Sequence, residues 1–485
     1  MAGLDPATSD QWQEISGSSP GMTEWGGRLS ALGVTTPVAI GACCLFAAAA
    51  ICAVLAPALF WVLLGGVAAV GVVFLAFRHT VGFCAAWVLI AGATPEMVLG
   101  DLIGGDAAQP IIAMVKAAQL GLVAVCVLRF GARADWCNPA LAFAAMGVAG
   151  FAHGLHPGMS MTDSLRSLIG SVAPFAFSFS VLSLGWARAI ILTVRLIPLL
   201  TVAAGAVLDA AGIRPLFIDL GGARLGALGH PAFLAGFCMT AIYAGLIELF
   251  RDGRGRDMAL LTVNFVLLAA TGARAPLAYA AAVCLIALLA VDAPRFPRRR
   301  RITLLLAGAS MLPLLAALSG EMAGVRLVSV LSTNAENLSG REVLWPLFEA
   351  AAAQSPWFGW GVGAGNAVVP EGSDVARYIG TLAAHNEYLR IRVEGGWIGL
   401  SLLIACFAGW VWTHTARLRR TDRAVMRMVF AAFALHAFTD NLLISTSACV
   451  LFTFVAAVFA RGMLEQAAAD RSGCTPMDDA GGELA

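Results

Sequence analysis

Long apolar runs, separated by short polar breaks, dominate the chain. They fall at about 37–55, 58–77, 81–99, 111–129, 138–154, 168–186, 188–208, 231–250, 258–273, 275–292, 302–318, 396–414, 426–440 and 443–462. A helix that crosses a bilayer needs roughly 20 apolar residues. Most of these runs approach that length, while 258–273 and 426–440 are shorter, so about 12–14 spans are expected. No segment alternates with the ten-residue pattern of a transmembrane barrel. The expected fold class is therefore all-α, a polytopic transmembrane helix bundle.

The breaks divide the chain. Residues 1–36 are polar, rich in Gly and Ser and without period, which predicts a disordered tail. They lack the basic stretch and short apolar core of a signal peptide. Residues 37–318 then carry about eleven spans, 319–395 form one long loop, 396–463 hold the C-terminal helices, and 464–485 form a flexible acidic tail. A loop that long is usually functional or disordered. This one contains Trp345, Trp357 and Trp360 among apolar stretches, so an ordered, partly helical loop is expected.

Composition sharpens this reading. Of 485 residues, 59% are hydrophobic and 13% charged, against about 25% charged in soluble domains. A water-soluble enzyme and a disordered chain are both excluded. The net charge of +1 says nothing about partners. Lys116 is the only lysine, and no basic face with aromatics or reader motif points to nucleic acid. The 11 cysteines lie mostly inside apolar runs without paired C-x2-C spacing, and read as small core residues rather than metal ligands.

Positive charge orients the bundle. Arg129 and Arg133, Arg251 with Arg254 and Arg256, Arg295 with Arg298 to Arg301, and Arg417 with Arg419, Arg420 and Arg423 fall on one side of the counted spans. That side is expected to be cytoplasmic, with both termini. Loops 100–110, 155–167, 209–230 and 319–395 then lie on the other side.

The long loop holds most of the candidate chemistry. Ser339-Gly340-Arg341-Glu342 has capping-box spacing and opens a helix, with Pro346 inside as a source of a kink. Arg341 would stand in the first turn beside exposed N–H groups, where an anion binds readily; the alternative is a solvated surface arginine. Pro356-Trp357-Phe358-Gly359-Trp360-Gly361-Val362-Gly363 satisfies a permissive dinucleotide pattern but sits in no strand–helix unit, so a tight turn with close backbone approach is the better reading. In Ala384-His385-Asn386-Glu387, a helix would place His385, Leu389 and Arg392 on one face. A neutral histidine just outside the membrane can accept a hydroxyl proton, although a lone histidine is more often structural.

Arg274, in Thr271-Gly272-Ala273-Arg274, stands at a span end, where it serves a ligand or only snorkels. His436 and Asp440, four apart near another span end, could line the same cavity or bond each other. Lys116 and Arg195 lie in or near spans and are candidates by that fact.

These residues resemble the O-antigen ligases and the related polymerases of bacterial surface polysaccharides. His385-Asn386, nine residues, Gly396, two residues, Gly399 fits the family's H-[NSQ]-x9-G-x2-[GTY] pattern. Gly340-Arg341 through Trp345 to Gly359-Trp360-Gly361-Val362-Gly363 resembles the family's arginine-to-glycine stretch, with Trp345 where Leu is usual. Thr271-Gly272-Ala273-Arg274 resembles a T-x-S-R element with Ala273 for Ser, and Gly229-His230-Pro231 looks like a segment of the polymerases.

The resemblance implies a membrane glycosyltransferase of the GT-C type in the bacterial inner membrane, with a periplasmic site. The implied donor is an undecaprenyl-diphosphate-linked oligosaccharide, transferred to a hydroxyl with inversion and without a metal or other cofactor. In a polymerase the acceptor is another lipid-linked repeat unit; in a ligase it is lipid A–core. A chain-length regulator is a further partner that a polymerase would admit. The roles implied are catalysis by His385, Arg341 and Arg274, diphosphate binding by Arg274, Arg341 and Arg392, and an acceptor cavity lined by His230, Asn386, Glu394, His436 and Asp440. The His230-Pro231 and His436…Asp440 features favour polymerase over ligase. A transporter or lipid flippase is the reading from another class. It fits less well, because Glu96 and Glu248 lie near span ends and the singled-out polar groups gather on one side.

Overall fold

A computed structural model describes residues 70–103, 108–306 except 221, 308, 341–370, 372–379, 382–443 and 445–472. The chain divides into two units, Met1–Leu75 and Ala76–Ala485, and the account below concerns the second. The run at 37–55, most of 58–77 and of 302–318, the pair Ser339-Gly340, the tail 1–36 and residues 473–485 fall outside the described residues, while 464–472, expected in the flexible tail, are helical.

The described chain is helical apart from one hairpin. In order come α1 (Thr80–Gly92), α2 (Pro95–Ile103), α3 (Ala108–Phe130), α4 (Pro139–His153), α5 (Met161–Val172) and α6 (Leu184–Ala210). The hairpin pairs β1 (Phe217–Asp219) with β2 (Ala223–Leu225). Then follow α7 (Pro231–Asp252), α8 (Gly255–Ala270), α9 (Arg274–Ala290), α10 (Arg341–Gln354), α11 (Asp374–Ile379), α12 (Glu387–Thr415), α13 (Arg420–His436) and α14 (Thr446–Ser472). By length and composition α3, α6, α7, α12 and α14 can each cross a membrane, and α4 and α9 are shorter apolar helices. The fold is an all-α polytopic bundle.

The most apolar windows of α7 and α14 are 83% buried, against 28% for α12. A helix apolar on all sides is stable only when other helices or lipid surround it. Here α7 is wrapped by α6, α8, α9 and α14, while α12 keeps an apolar face turned outward. The run at 168–186 is not one helix. Pro174 follows the end of α5, a 3-10 turn spans Ala173–Phe179, and Ser183 caps α6 by accepting the Trp186 N–H. The turn is packed by Phe175 against Phe452, ring centroids 4.4 Å apart.

The four arginine clusters converge on one end. Arg251 on α7 bonds Asp422 on α13 and Glu465 on α14, and Arg419 reaches Glu465 at 2.9 Å. Arg295 and Arg300 donate to the carbonyls of Arg251 and Gly253 at 3.1 Å. Arg133 lies 3.4 Å from His414, at the end of α12. The opposite ends of these helices carry His230, Arg274, Asn386 and His436. The arginine pattern therefore coincides with a single end of the bundle.

Candidate functional site

The end opposite the arginine clusters is built around a break in α12. Gly396 has φ 60° and ψ −163°, a conformation open essentially to glycine. The break frees backbone groups on both sides. Val393 and Glu394 carbonyls accept the N–H groups of Trp360 and Gly361 at 2.9 Å, and the N–H of Trp397 donates to the Pro356 carbonyl at 2.8 Å. A Cβ on Gly396 would stand 2.3 Å from the Trp357 carbonyl carbon, and one on Gly359 2.5 Å from that of Glu394. The tight turn and close backbone approach expected of the Trp357–Gly363 segment are present, and its partner is the broken helix.

Above this contact the loop has its own small core. Leu344, Phe348 and Ala352 of α10 pack with Ala364, Val369, Ala384, Leu389 and Val393. Pro346 is accommodated inside α10. Arg341 is the first residue of that helix, and its Nη2 donates to the Thr439 carbonyl at 2.7 Å. One turn on, the Trp345 indole N–H donates to the Ala384 carbonyl at 2.9 Å. Tryptophan in place of leucine thus adds a bond that holds the residue before His385.

His385 is not on the helix, contrary to the expectation of a face shared with Leu389 and Arg392. Asn386 is the N-cap, its side chain accepting the Leu389 N–H at 3.1 Å, so the helix begins at Glu387. His385 precedes it at φ 48°, a left-handed conformation that histidine visits uncommonly. Its Nδ1 lies 3.2 Å from Asp440 Oδ1. Asp440 sits in the turn after α13, and its Oδ2 is 3.9 Å from His436 Nε2, an ion-pair distance rather than a hydrogen bond. Burial alone would raise the Asp440 carboxyl. Hydrogen bonds from His385 and the Asn441 N–H, together with charge on His385 and His436, hold it below the usual carboxylate range. Asp440 therefore joins His385 rather than bonding only His436. Tyr279 of α9 lies over His436, ring centroids 5.1 Å apart.

Arg274 is exposed at the start of α9, five residues and about 7.5 Å of helix from Tyr279. Its turn is fixed by Thr271 Oγ1, which donates to the Leu268 carbonyl at 2.6 Å and accepts the Ala273 N–H at 3.2 Å. Arg224 of the hairpin donates to the Gly272 carbonyl at 2.8 Å, adding a second cation beside Arg274.

The remaining candidates are placed differently. His230 caps α7, its Nδ1 accepting the Ala232 N–H at 3.2 Å. Burial and the charges of Arg224 and Arg214 push its pKa down. Arg392 stacks over Trp397, 4.8 Å from the ring centroid. Glu394 is 1% exposed and accepts from Arg390 at 2.7 Å. Lys116 and Arg195 lie in the bundle, and Arg195 is answered by buried Asp257. Among the described residues no cluster of three or more His, Cys, Asp or Glu could hold a metal ion.

Sequence reasoning missed Arg224, Tyr279, Thr439 and Glu387. Tyr279 did carry a signal, as one of four tyrosines in the chain and inside an apolar run. Arg224 and Thr439 gave none, because a hairpin contact and a backbone carbonyl leave no pattern.

Residues 259–404 match the family model described as O-Antigen ligase, a stretch that contains Arg274, Arg341 and His385. This supports the O-antigen ligase and polymerase family for the chain. No curated protein matches it.

Proposed function

We propose that this chain is a polysaccharide polymerase of the inner membrane, transferring a glycan from undecaprenyl diphosphate to a hydroxyl of another lipid-linked repeat unit. The observation that carries the reading is the His385–Asp440 contact beside Arg341, at the end opposite the basic loops. With Nδ1–H donated to the carboxylate, Nε2 holds the lone pair that takes the acceptor proton. The acceptor oxygen then attacks the anomeric carbon from the face opposite the diphosphate, inverting it, and the C–O bond to the diphosphate breaks. Arg341 and Arg274 neutralise the charge that develops on that leaving group. Arginine suits this task because its planar fork meets phosphate oxygens in pairs. Arg341 Nε is buried without a partner among the described residues, a donor still to be answered. By the positive-inside rule the site faces the periplasm.

His385→Ala is expected to lower transfer by about 100-fold or more while leaving expression and membrane insertion intact. Normal polymer length and amount from that variant would remove the assignment. Arg341→Lys is expected to impair transfer as well, since a point charge does not replace the fork. Deletion in the native host separates the acceptors. Long chains lost, with single repeats still on core, means polymerase. Every repeat lost from core, with lipid-linked polymer accumulating, means ligase.

A further inference from the structure

Glu387 lies two residues after His385, and it touches both ends of the segment that carries Asp440. Its N–H donates to the Ala437 carbonyl at 2.8 Å. Its Oε1 accepts the Leu443 N–H at 2.6 Å. Between these points stand Thr439, whose carbonyl takes Arg341, and Asp440, which takes His385. One residue thus staples a turn from which two of the three candidate catalytic side chains, Arg341 and His385, receive a partner.

Glu387 is itself held. Its Oε2 accepts from Arg390 Nε at 2.6 Å, and Arg390 Nη1 continues to Glu394 Oε1 at 2.7 Å. All three side chains are 4% exposed or less. Two carboxylates share one guanidinium, so neither arginine nor glutamate has a solvated alternative, and removing one partner would strand a buried charge. Glu394 is fixed in turn where the Gly359–Gly361 loop closes on the break in α12. The connection runs without a gap from that loop through Glu394, Arg390 and Glu387 to the 437–443 turn.

We infer that Glu387, backed by Arg390 and Glu394, is a positioning residue that clamps the 437–443 turn, so that Asp440 and the Thr439 carbonyl meet His385 and Arg341 in register. The clamp touches no substrate, and the inference rests on the function proposed above. A misplacement of about 1 Å at reacting groups can cost about 100-fold in rate, which sets the size of the expected effect.

The test uses the full chain in lipid nanodiscs, as Glu387→Gln and Arg390→Lys. Glutamine keeps the size of Glu387 but sets an amide N–H against Arg390 Nε–H; lysine keeps the charge of Arg390 but cannot bridge two carboxylates. Two readouts are taken: hydrogen exchange across 437–443, and kcat and KM for transfer from a lipid-diphosphate-linked glycan. Faster exchange at the Leu443 amide, with kcat about 100-fold lower and KM for the donor unchanged, is the expected result. Unchanged exchange in both variants overturns the clamp. Faster exchange with unchanged kcat also overturns it, because the turn would then be ordered for no catalytic purpose. Should the wild-type chain transfer no lipid-linked glycan, the functional reading fails, and the exchange data still decide whether the staple exists.

Discussion

The two ends of the bundle differ in how far the protein pairs their charges. At the basic end several arginines are answered by the protein, while Arg256, Arg298 and Arg299 are exposed and Arg461 keeps Nε and Nη2 buried without a partner among the described residues. Arg251 is enclosed by Asp422 and Glu465, Arg461 pairs with Glu248, and Arg301 donates to the carbonyls of Val291, Ala293 and Phe296. At the other end the answers are partial. Arg274 is exposed, Arg341 has one carbonyl partner and a buried Nε with none among the described residues, and the side chains of His385 and Asp440 are 33% and 39% exposed. A buried and fully paired charge is committed to structure. A charge left partly unanswered near a membrane surface is available to a ligand.

The largest effect that could break this contrast comes from removing one carboxylate at each end. Asp440→Asn is expected to cut transfer by about 100- to 10,000-fold with little change in the thermal midpoint. Asp422→Asn leaves Arg251 with Glu465 as its one carboxylate partner and is expected to cost about 1.5–3 kcal/mol of stability, with the rate per folded molecule preserved. Melting curves in detergent and a transfer assay on the same samples separate the two. If Asp440→Asn melted early and Asp422→Asn lost turnover, the contrast would be false.

A smaller effect is expected where the loop meets the broken helix. Gly396→Ala forces a side chain into φ 60° and against the Trp357 carbonyl. The strain is about 1–3 kcal/mol, and relief requires the 356–361 segment to move off α12. Lower stability together with lower transfer is expected, and faster hydrogen exchange at Trp360 and Gly361 would locate the cause. Wild-type exchange at both amides would show that the glycine serves something other than this contact.

Much of this architecture was legible in the sequence, for identifiable reasons. Apolar runs report burial or lipid contact directly, and Arg251, Arg295 and Arg419 marked one end because arginine gathers where water and phosphate meet the helix ends. Gly396 and Gly399 were legible as a motif before their role was; the torsion at Gly396 and the Met146 side chain packed on Gly399 supply it. The run at 168–186 misled, because hydropathy does not register that Pro174 and Ser183 interrupt a helix. His385 was found but misplaced, since helical periodicity was extended two residues too far and overlooked Asn386 as a cap. The pairing of His385 with Asp440, 55 residues apart, was out of reach of spacing arguments, as was the Glu387 staple, whose partners include backbone groups.

The smallest effect sharpens the contrast at His230, where two arginines face a histidine instead of a carboxylate. Burial first, then Arg224 and Arg214, lower its pKa from an ordinary value of about 6.5. The neutral ring accepts the Ala232 N–H and caps α7, a contact of about 1 kcal/mol. The unfolded chain binds the proton more readily than the folded one, so stability rises with pH across the window between the two pKa values. Its contribution is full above about pH 6.5 and is lost as the pH falls through the lowered folded value. His230→Asn keeps a capping oxygen that does not titrate. The variant should match the wild type at pH 8 and exceed it at pH 5 in thermal midpoint. Parallel curves for the two proteins would mean that the arginines at this end are screened from His230, and that the repulsion inferred for this end is not felt there.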